Sequence, residues 1–202
     1  FLELDAACNR VAHFLAGLGI EANDRISLLG ENCLELLVLF FGVQRYGATV
    51  NPINVEVNAK NAAQILHDVE PRLVLWQRAI PAELEAVVRA AGCEAIPFGD
   101  LAAAASPDDV LGILPGCPAS PGPRRVGGPR DIGIIDYTSG TTATPKGVCI
   151  SHAAYFCMCH SSVERLGLTE ADRVLEYRAM SWALPQVITL GPTLQAGAGF
   201  SS

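Results

Sequence analysis

The chain has 202 residues, half of them hydrophobic and 17% charged, with a net charge of −7. This composition suits a buried sheet with helices on both faces and argues against general disorder, and the acidic balance disfavours a general binder of nucleic acid or of anionic membrane. Seven cysteines, an odd count without paired spacing, point away from a secreted disulfide framework and towards reduced thiols in a cytoplasm.

In chain order, Leu4, Cys8, Val11, Leu15 and Leu18 recur at helical spacing, Gly19 offers a stop, and Arg25 to Leu29 reads as a strand. A second helix is predicted from Cys33 to Tyr46, capped by Asn32 and closed by Gly47, before a short strand from Ala48 to Asn51. The apolar run Leu34 to Val43 within it contains Glu35 and is too short to span a bilayer, so no transmembrane segment is expected. Asn58 can cap a helix that runs through Val69, Pro71 breaks it, and Arg72 to Trp76 is a strand. Pro81 opens a further helix ending at Gly92, ahead of a strand from Glu94 to Pro97. Strand, helix, strand in repetition predicts an α/β fold of repeated β-α units, forming a parallel-rich sheet flanked by helices.

Residues 115–129 carry five prolines and four glycines, so no regular element is expected there. They serve either as a loop delivering the chain to the next strand or as an interdomain linker. The expected organisation is a first α/β subdomain over 1–114, a Pro/Gly-rich loop over 115–130, and a phosphate-loop hairpin with the start of a second subdomain over 131–202. Ile132 to Tyr137 and Val148 to Ile150 read as strands, Ser151 caps a helix of about a dozen residues, and Arg173 to Arg178 reads as a strand. An apolar helix follows, ending near Gly197.

The two strands at 132–137 and 148–150 flank Tyr137-Thr138-Ser139-Gly140-Thr141-Thr142-Ala143-Thr144-Pro145-Lys146-Gly147. Gly140 and Gly147 let the backbone reach positive φ or approach a ligand closely, so that several N–H groups converge on one anion. Hydroxyls of Thr138, Ser139, Thr141, Thr142 and Thr144 add donors, Lys146 brings a mobile charge, and Pro145 stiffens the return. Only Lys60 and Lys146 are lysines. The order is not that of a Walker loop, because Lys146-Gly147 leads into the strand-like Val148-Cys149-Ile150 and not into a helix. An ordinary hydroxyl-rich hairpin turn is the plainer alternative.

The string Thr138 to Gly147 resembles the signature loop of the AMP-forming adenylate superfamily: acyl-CoA and aryl-CoA synthetases, luciferases and adenylation domains of nonribosomal peptide synthetases. Ala143 stands where that family usually has glycine, with its backbone N–H retained. Weaker similarities lie at Phe41-Gly42-Val43-Gln44-Arg45-Tyr46-Gly47-Ala48 and at Asn51-Pro52-Ile53-Asn54. The resemblance implies the large N-terminal domain of an adenylate-forming enzyme. In it a carboxylate attacks the α-phosphate of ATP, pyrophosphate leaves, and a thiol such as that of coenzyme A captures the acyl-adenylate. It implies that Thr138, Ser139, Gly140, Thr141, Thr142, Thr144, Lys146 and Gly147 bind the nucleotide phosphates, with Lys146 catalytic, and that Mg2+ is held mostly by residues outside this chain. Tyr177 to Trp182 occupies the place of the family's second motif, whose proline and aromatic-histidine pair are lacking. Trp182 is either part of the acyl pocket or an anchor between helix and sheet.

No protein metal site is expected: Cys149, His152, Cys157, Cys159 and His160 lack knuckle spacing, and the segment from His152 reads as a helix packing its apolar face. His152 is read as a capping or packing residue, not a general base. The chain starts at Phe1 without a secretory leader and lacks the family's later motifs, so it is expected to be an inactive N-terminal piece of a much longer enzyme. Three functions stay open: a carboxylic acid–CoA ligase, a peptide-synthetase adenylation domain, and a noncatalytic phosphate-binding module.

Overall fold

Runs of apolar residues set both faces of the central sheet. The computed structural model describes residues 1–99, 109–124, 128–138 and 145–201. Within them, strands β1 (Arg25–Leu29), β2 (Thr49–Ile53), β3 (Leu73–Gln77), β4 (Glu94–Phe98), β5 (Ile132–Thr138) and β6 (Lys146–Ser151) form one sheet ordered β4-β3-β1-β2-β5-β6. The first five are mutually parallel, and β6 runs antiparallel to β5 along the edge. On one face Ile26, Leu28, Val50, Leu73, Leu75 and Ile134 pack against helices α1 (Leu2–Gly17) and α2 (Leu34–Tyr46). On the other, Leu29, Ile53, Val74, Trp76 and Ile135 pack against α3 (Ala59–Val69) and α4 (Ala82–Arg89). A strand buried on both faces favours apolar residues, which is how β3 reads, while β1 and β2 bury Ser27, Thr49 and Asn51 among their apolar residues.

The helices obey local rules with one correction. Asn58 caps α3 by accepting from Asn61 N at 2.8 Å, Ser151 caps α6 (His152–Leu166) by accepting from Ala154 N at 3.2 Å, and Gly47 closes α2 at φ 99°. Asn32 does not cap α2. Cys33 does, its Sγ accepting from Leu36 N at 3.4 Å, because the Asn32 amide is engaged elsewhere: it donates to Arg178 O and accepts from Met180 N, both at 2.7 Å. Gly42 lets α1 and α2 approach closely, since a Cβ there would lie 2.5 Å from the Val11 side chain.

β2 carries a proline between two neighbours. Pro52 has no N–H for a ladder, and the pairing of β2 with β5 is limited to Val50 and Ile134. Side chains take over the joint: Thr49 Oγ1 donates to Ile132 O at 2.7 Å and Asn51 Nδ2 to Ile135 O at 2.8 Å, while Ser27 Oγ donates to Asn51 Oδ1 at 3.0 Å. Beyond that buried bridge no ladder pair joins β2 to β5 among the described residues.

After α6, β7 (Arg173–Leu175) pairs in parallel with β8 (Gly199–Ser201) as a separate two-stranded sheet. The strand predicted to reach Arg178 stops at Leu175. Glu176, 1% exposed, accepts from both Arg178 N (2.9 Å) and Arg178 Nε (2.7 Å), which folds the chain back on itself. The apolar helix expected before Gly197 runs unbroken over 183–196 and ends at Gly197, with a π segment at Gln186–Leu190 between α7 (Ala183–Pro185) and α8 (Gly191–Ala196). The apolar face of α6 is not packed as predicted. Among its described residues only Cys159 is buried, and Phe156, Met158 and Leu166 are exposed.

Candidate functional site

The carboxyl ends of β2 and β5 line a cleft of about 610 Å³. That is where an open α/β sheet offers a ligand site. Pro52 to Asn54 form one wall, Asp136 to Thr138 another, and Ser181, Trp182 and Ala183 a third. The first turn of α3, through Asn58 and Asn61, closes the fourth side and carries no acidic residue. The positive end of a helix dipole therefore borders the cleft without a competing carboxylate in that turn.

The two ends of the signature string belong to the β5–β6 pair, and Thr138 and Pro145 line the cleft. Thr138 and Lys146 are opposite each other in the antiparallel register, so the two described ends of the signature string stand side by side. Of the expected phosphate-binding residues, Ser139, Gly140, Thr141, Thr142 and Thr144 lie outside the described residues. Thr138 lines the cleft. Lys146 does not; it stands exposed on the edge strand beside Thr138, without an ion pair or side-chain hydrogen bond among the described residues. Gly147 lies in regular strand pairing opposite Tyr137, and its φ is not positive. Its lack of a side chain serves close packing instead, since a Cβ would come 3.2 Å from Tyr137 Cζ.

Trp182 is brought to the same cleft by the Asn32 clamp on Arg178 and Met180, together with Trp182 N donating to Ala179 O at 3.1 Å. It is 48% exposed, so its ring presents a large apolar surface to the cleft side. His152 packs its ring against the sheet: a Cβ on Gly133 would lie 2.7 Å from His152 Nδ1, and burial lowers the His152 pKa. Both observations match the packing role expected for it.

Two residues, Asp136 in the cleft lining and the buried Gln186 that bonds to it, were not singled out from the sequence. Asp136, 4% exposed, lies on the same face of β5 as Ile134, and burial pushes its carboxyl up to about 7. Gln186 is fully buried, and its Nε2 donates to Asp136 Oδ1 at 3.2 Å and to Met180 O at 3.1 Å. The signal for Asp136 was a lone acid following the apolar run Ile134-Ile135; for Gln186, a lone amide within an apolar helix. The buried thiols offer no nucleophile here. Burial holds Cys8 and Cys159 at about 11 and Cys33 at about 12, and all seven cysteines are free of disulfides. Among the described residues no group of three His, Cys, Asp or Glu side chains could hold a metal ion, and no helix is long and apolar enough to cross a membrane.

The chain is 31% identical over 175 residues to the long-chain-fatty-acid–CoA ligase FadD13 of Mycobacterium tuberculosis, a match that covers 87% of this chain and 34% of the relative. It is 28% identical over 200 residues to the phosphinothricin tripeptide synthetase PhsC of Streptomyces viridochromogenes, covering 98% of this chain and 17% of that one. The crystal structure of a Mycobacterium tuberculosis fatty acyl CoA synthetase superposes with a TM-score of 0.82 at 27% identity, over 98% of this chain and 38% of the other. The chain thus spans about a third of the length of the ligases it resembles. With the family model for AMP-binding enzymes matching residues 1–200, and with the signature hairpin standing at the sheet's carboxyl edge, the chain belongs to the AMP-binding enzyme family.

Proposed function

We propose that this chain is the nucleotide-phosphate-binding part of an ATP-dependent, AMP-forming ligase that activates a carboxylic acid as its acyl-adenylate and passes the acyl group to the thiol of coenzyme A. The observation that carries this reading is that Thr138 and Pro145, at the two described ends of the signature string, line a cleft with an aromatic wall, with Lys146 paired beside Thr138. Within it, Thr138, Ser139, Gly140, Thr141, Thr142, Thr144 and Gly147 hold the β- and γ-phosphates of ATP. Lys146 neutralises charge that builds on the leaving pyrophosphate, which is electrostatic stabilisation of the transition state. An exposed lysine without a side-chain partner among the described residues suits this task, because none of their carboxylates has to be displaced when phosphate arrives.

Trp182 lines the acid end of the cleft. The acid's carboxylate supplies the nucleophile, so no protein thiol is required, in keeping with the high pKa values of the buried cysteines. Mg2+ neutralises phosphate charge in chemistry of this kind, but the described residues do not form a set that fits a resident ion. We further propose a first α/β unit over 1–114 and the start of a second within 131–202, with β5 and β6 completing the first sheet and β7–β8 opening the second. The free thiols favour a reducing, cytoplasmic setting.

Transfer to a carrier-protein thiol is the second reading, favoured by the 28% identity to a peptide synthetase. The test is acid-dependent ATP–pyrophosphate exchange by the protein that contains this chain, followed by addition of coenzyme A or of a carrier domain. Exchange that requires an acid, with release of AMP on adding coenzyme A, supports the ligase. Nucleotide binding without acid-dependent exchange overturns it in favour of a noncatalytic module.

A further inference from the structure

Two walls of the cleft meet through one buried side-chain pair. Asp136, on the wall that runs to Thr138, is 4% exposed, and its Oδ1 accepts from Gln186 Nε2 at 3.2 Å. The same amide nitrogen donates to Met180 O at 3.1 Å, just before Ser181 and Trp182 of another wall. Gln186 Nε2 thereby uses both its hydrogens, yet Asp136 Oδ2 and Gln186 Oε1 are buried without a hydrogen-bond partner among the described residues. A carboxyl and an amide already joined by one bond thus lack a single hydrogen for a second, and a protonated carboxyl supplies it. The neighbouring donors do not: Tyr155 Oη and Cys159 Sγ both donate to Gln186 O, at 3.3 Å and 3.9 Å.

We propose that Asp136 and Gln186 form a proton-operated latch between two walls of the cleft. With its proton the Asp136 carboxyl donates to Gln186 Oε1 while accepting from Gln186 Nε2; without it the pair opens and loosens the segment that carries Trp182. Closed, the acid and the amide make a ring of two hydrogen bonds in which both groups are satisfied. Ionised, the buried carboxylate keeps one bond and Gln186 Oε1 loses its donor, a cost relieved by admitting water from the cleft that Asp136 lines. Once Gln186 lets go of Met180 O, Asn32 is left as the side-chain hold on residues 178–180. Burial pushes the Asp136 carboxyl up to about 7, which sets the latch to work near neutrality. The titratable groups on the elements around it are few. On α6, burial holds Tyr155 well above 10 and Cys159 at about 11, while His152 lies against Gly133 with its pKa lowered away from this range. On β6, Val148 stands opposite Asp136 and Lys146, two positions before it, is exposed. Neither β2 nor residues 180–196 contain a titratable side chain.

The test follows the latch by two independent signals in the protein that contains this chain. Infrared difference spectra between about pH 5 and about pH 9 should show a protonated-carboxyl band that disappears as pH rises through about 7 and is absent in Asp136→Asn. Over the same range acrylamide quenching of Trp182, assigned by subtracting the Trp182→Phe protein, should rise at least about twofold with the same midpoint. In Asp136→Asn the new amide donates to Gln186 Oε1 and its oxygen still accepts from Gln186 Nε2, so the latch stays shut and quenching stays low and flat. Gln186→Met cannot close the ring, and its quenching should be high at every pH. Wild-type quenching that stays flat across the carboxyl's titration overturns the latch, and so does a carboxyl that is ionised throughout. A rise in quenching matched by loss of far-UV circular dichroism overturns it as well, because the chain then unfolds as a whole. The wild-type titrations decide the matter even if a variant fails to fold.

Discussion

Replacing Asp136 with asparagine should change how the stability of the chain depends on pH. The carboxyl, ordinarily near 3.8, is pushed up to about 7 by burial, with the Gln186 hydrogen bond opposing the rise. A carboxyl whose pKa is higher in the folded state stabilises the fold while protonated in both states. That contribution is complete below about 3.8 and is lost as pH rises through about 7. A difference of about 3 pH units at 1.36 kcal/mol per unit puts the loss at roughly 4 kcal/mol. The asparagine variant keeps the side chain's shape and cannot ionise. Urea unfolding of both proteins from pH 4.5 to 8 should therefore show the wild type falling behind Asp136→Asn by an amount that grows towards that value. Tyr155, the other titratable group facing Asp136, is held well above 10 by its burial and stays neutral throughout. A stability difference between the two proteins that stays constant over this range would refute a buried, proton-binding Asp136.

Three further outcomes are expected. Lys146→Ala should slow acid-dependent pyrophosphate exchange by more than about tenfold, as loss of a transition-state charge contact does, while urea unfolding is unchanged because the exposed lysine has no side-chain partner among the described residues. Asn32→Ala removes the bonds to Arg178 O and Met180 N and should destabilise the chain by about 2 kcal/mol, read by urea unfolding, with added mobility at Trp182 seen in its fluorescence. Glu176, held to about 2 chiefly by hydrogen bonds from the Arg178 side chain, stabilises the fold above its ordinary 4.5 and loses that effect as pH falls through about 2. Glu176→Gln should accordingly be less stable than the wild type at neutral pH, and the two should converge near pH 2.

Much of the scaffold was legible because its signals are local. Apolar periodicity and the caps at Asn58 and Ser151 placed α3 and α6, and the repeated strand-helix-strand order required a parallel sheet. The misreadings share one cause. Asn32 looks like a cap until its partners 146 and 148 residues away claim it, and Arg173 to Arg178 looks like a strand until Glu176 finds Arg178. The apolar residues of α6 form a face in sequence, but periodicity does not say what covers it.

The sequence by itself determined the α/β alternation, the hairpin of hydroxyls around Lys146, and the family to which that loop belongs, because each depends on residues adjacent along the chain. Tertiary structure alone decided where the cleft opens and what lies beneath it. Pro52 denies β5 a ladder partner, the Asn32 clamp carries Trp182 to the opposite wall, and Asp136 meets Gln186 across 50 residues. Hydrogen-bond competition in a buried space is settled only when distant segments have been brought together, and no spacing rule encodes its result.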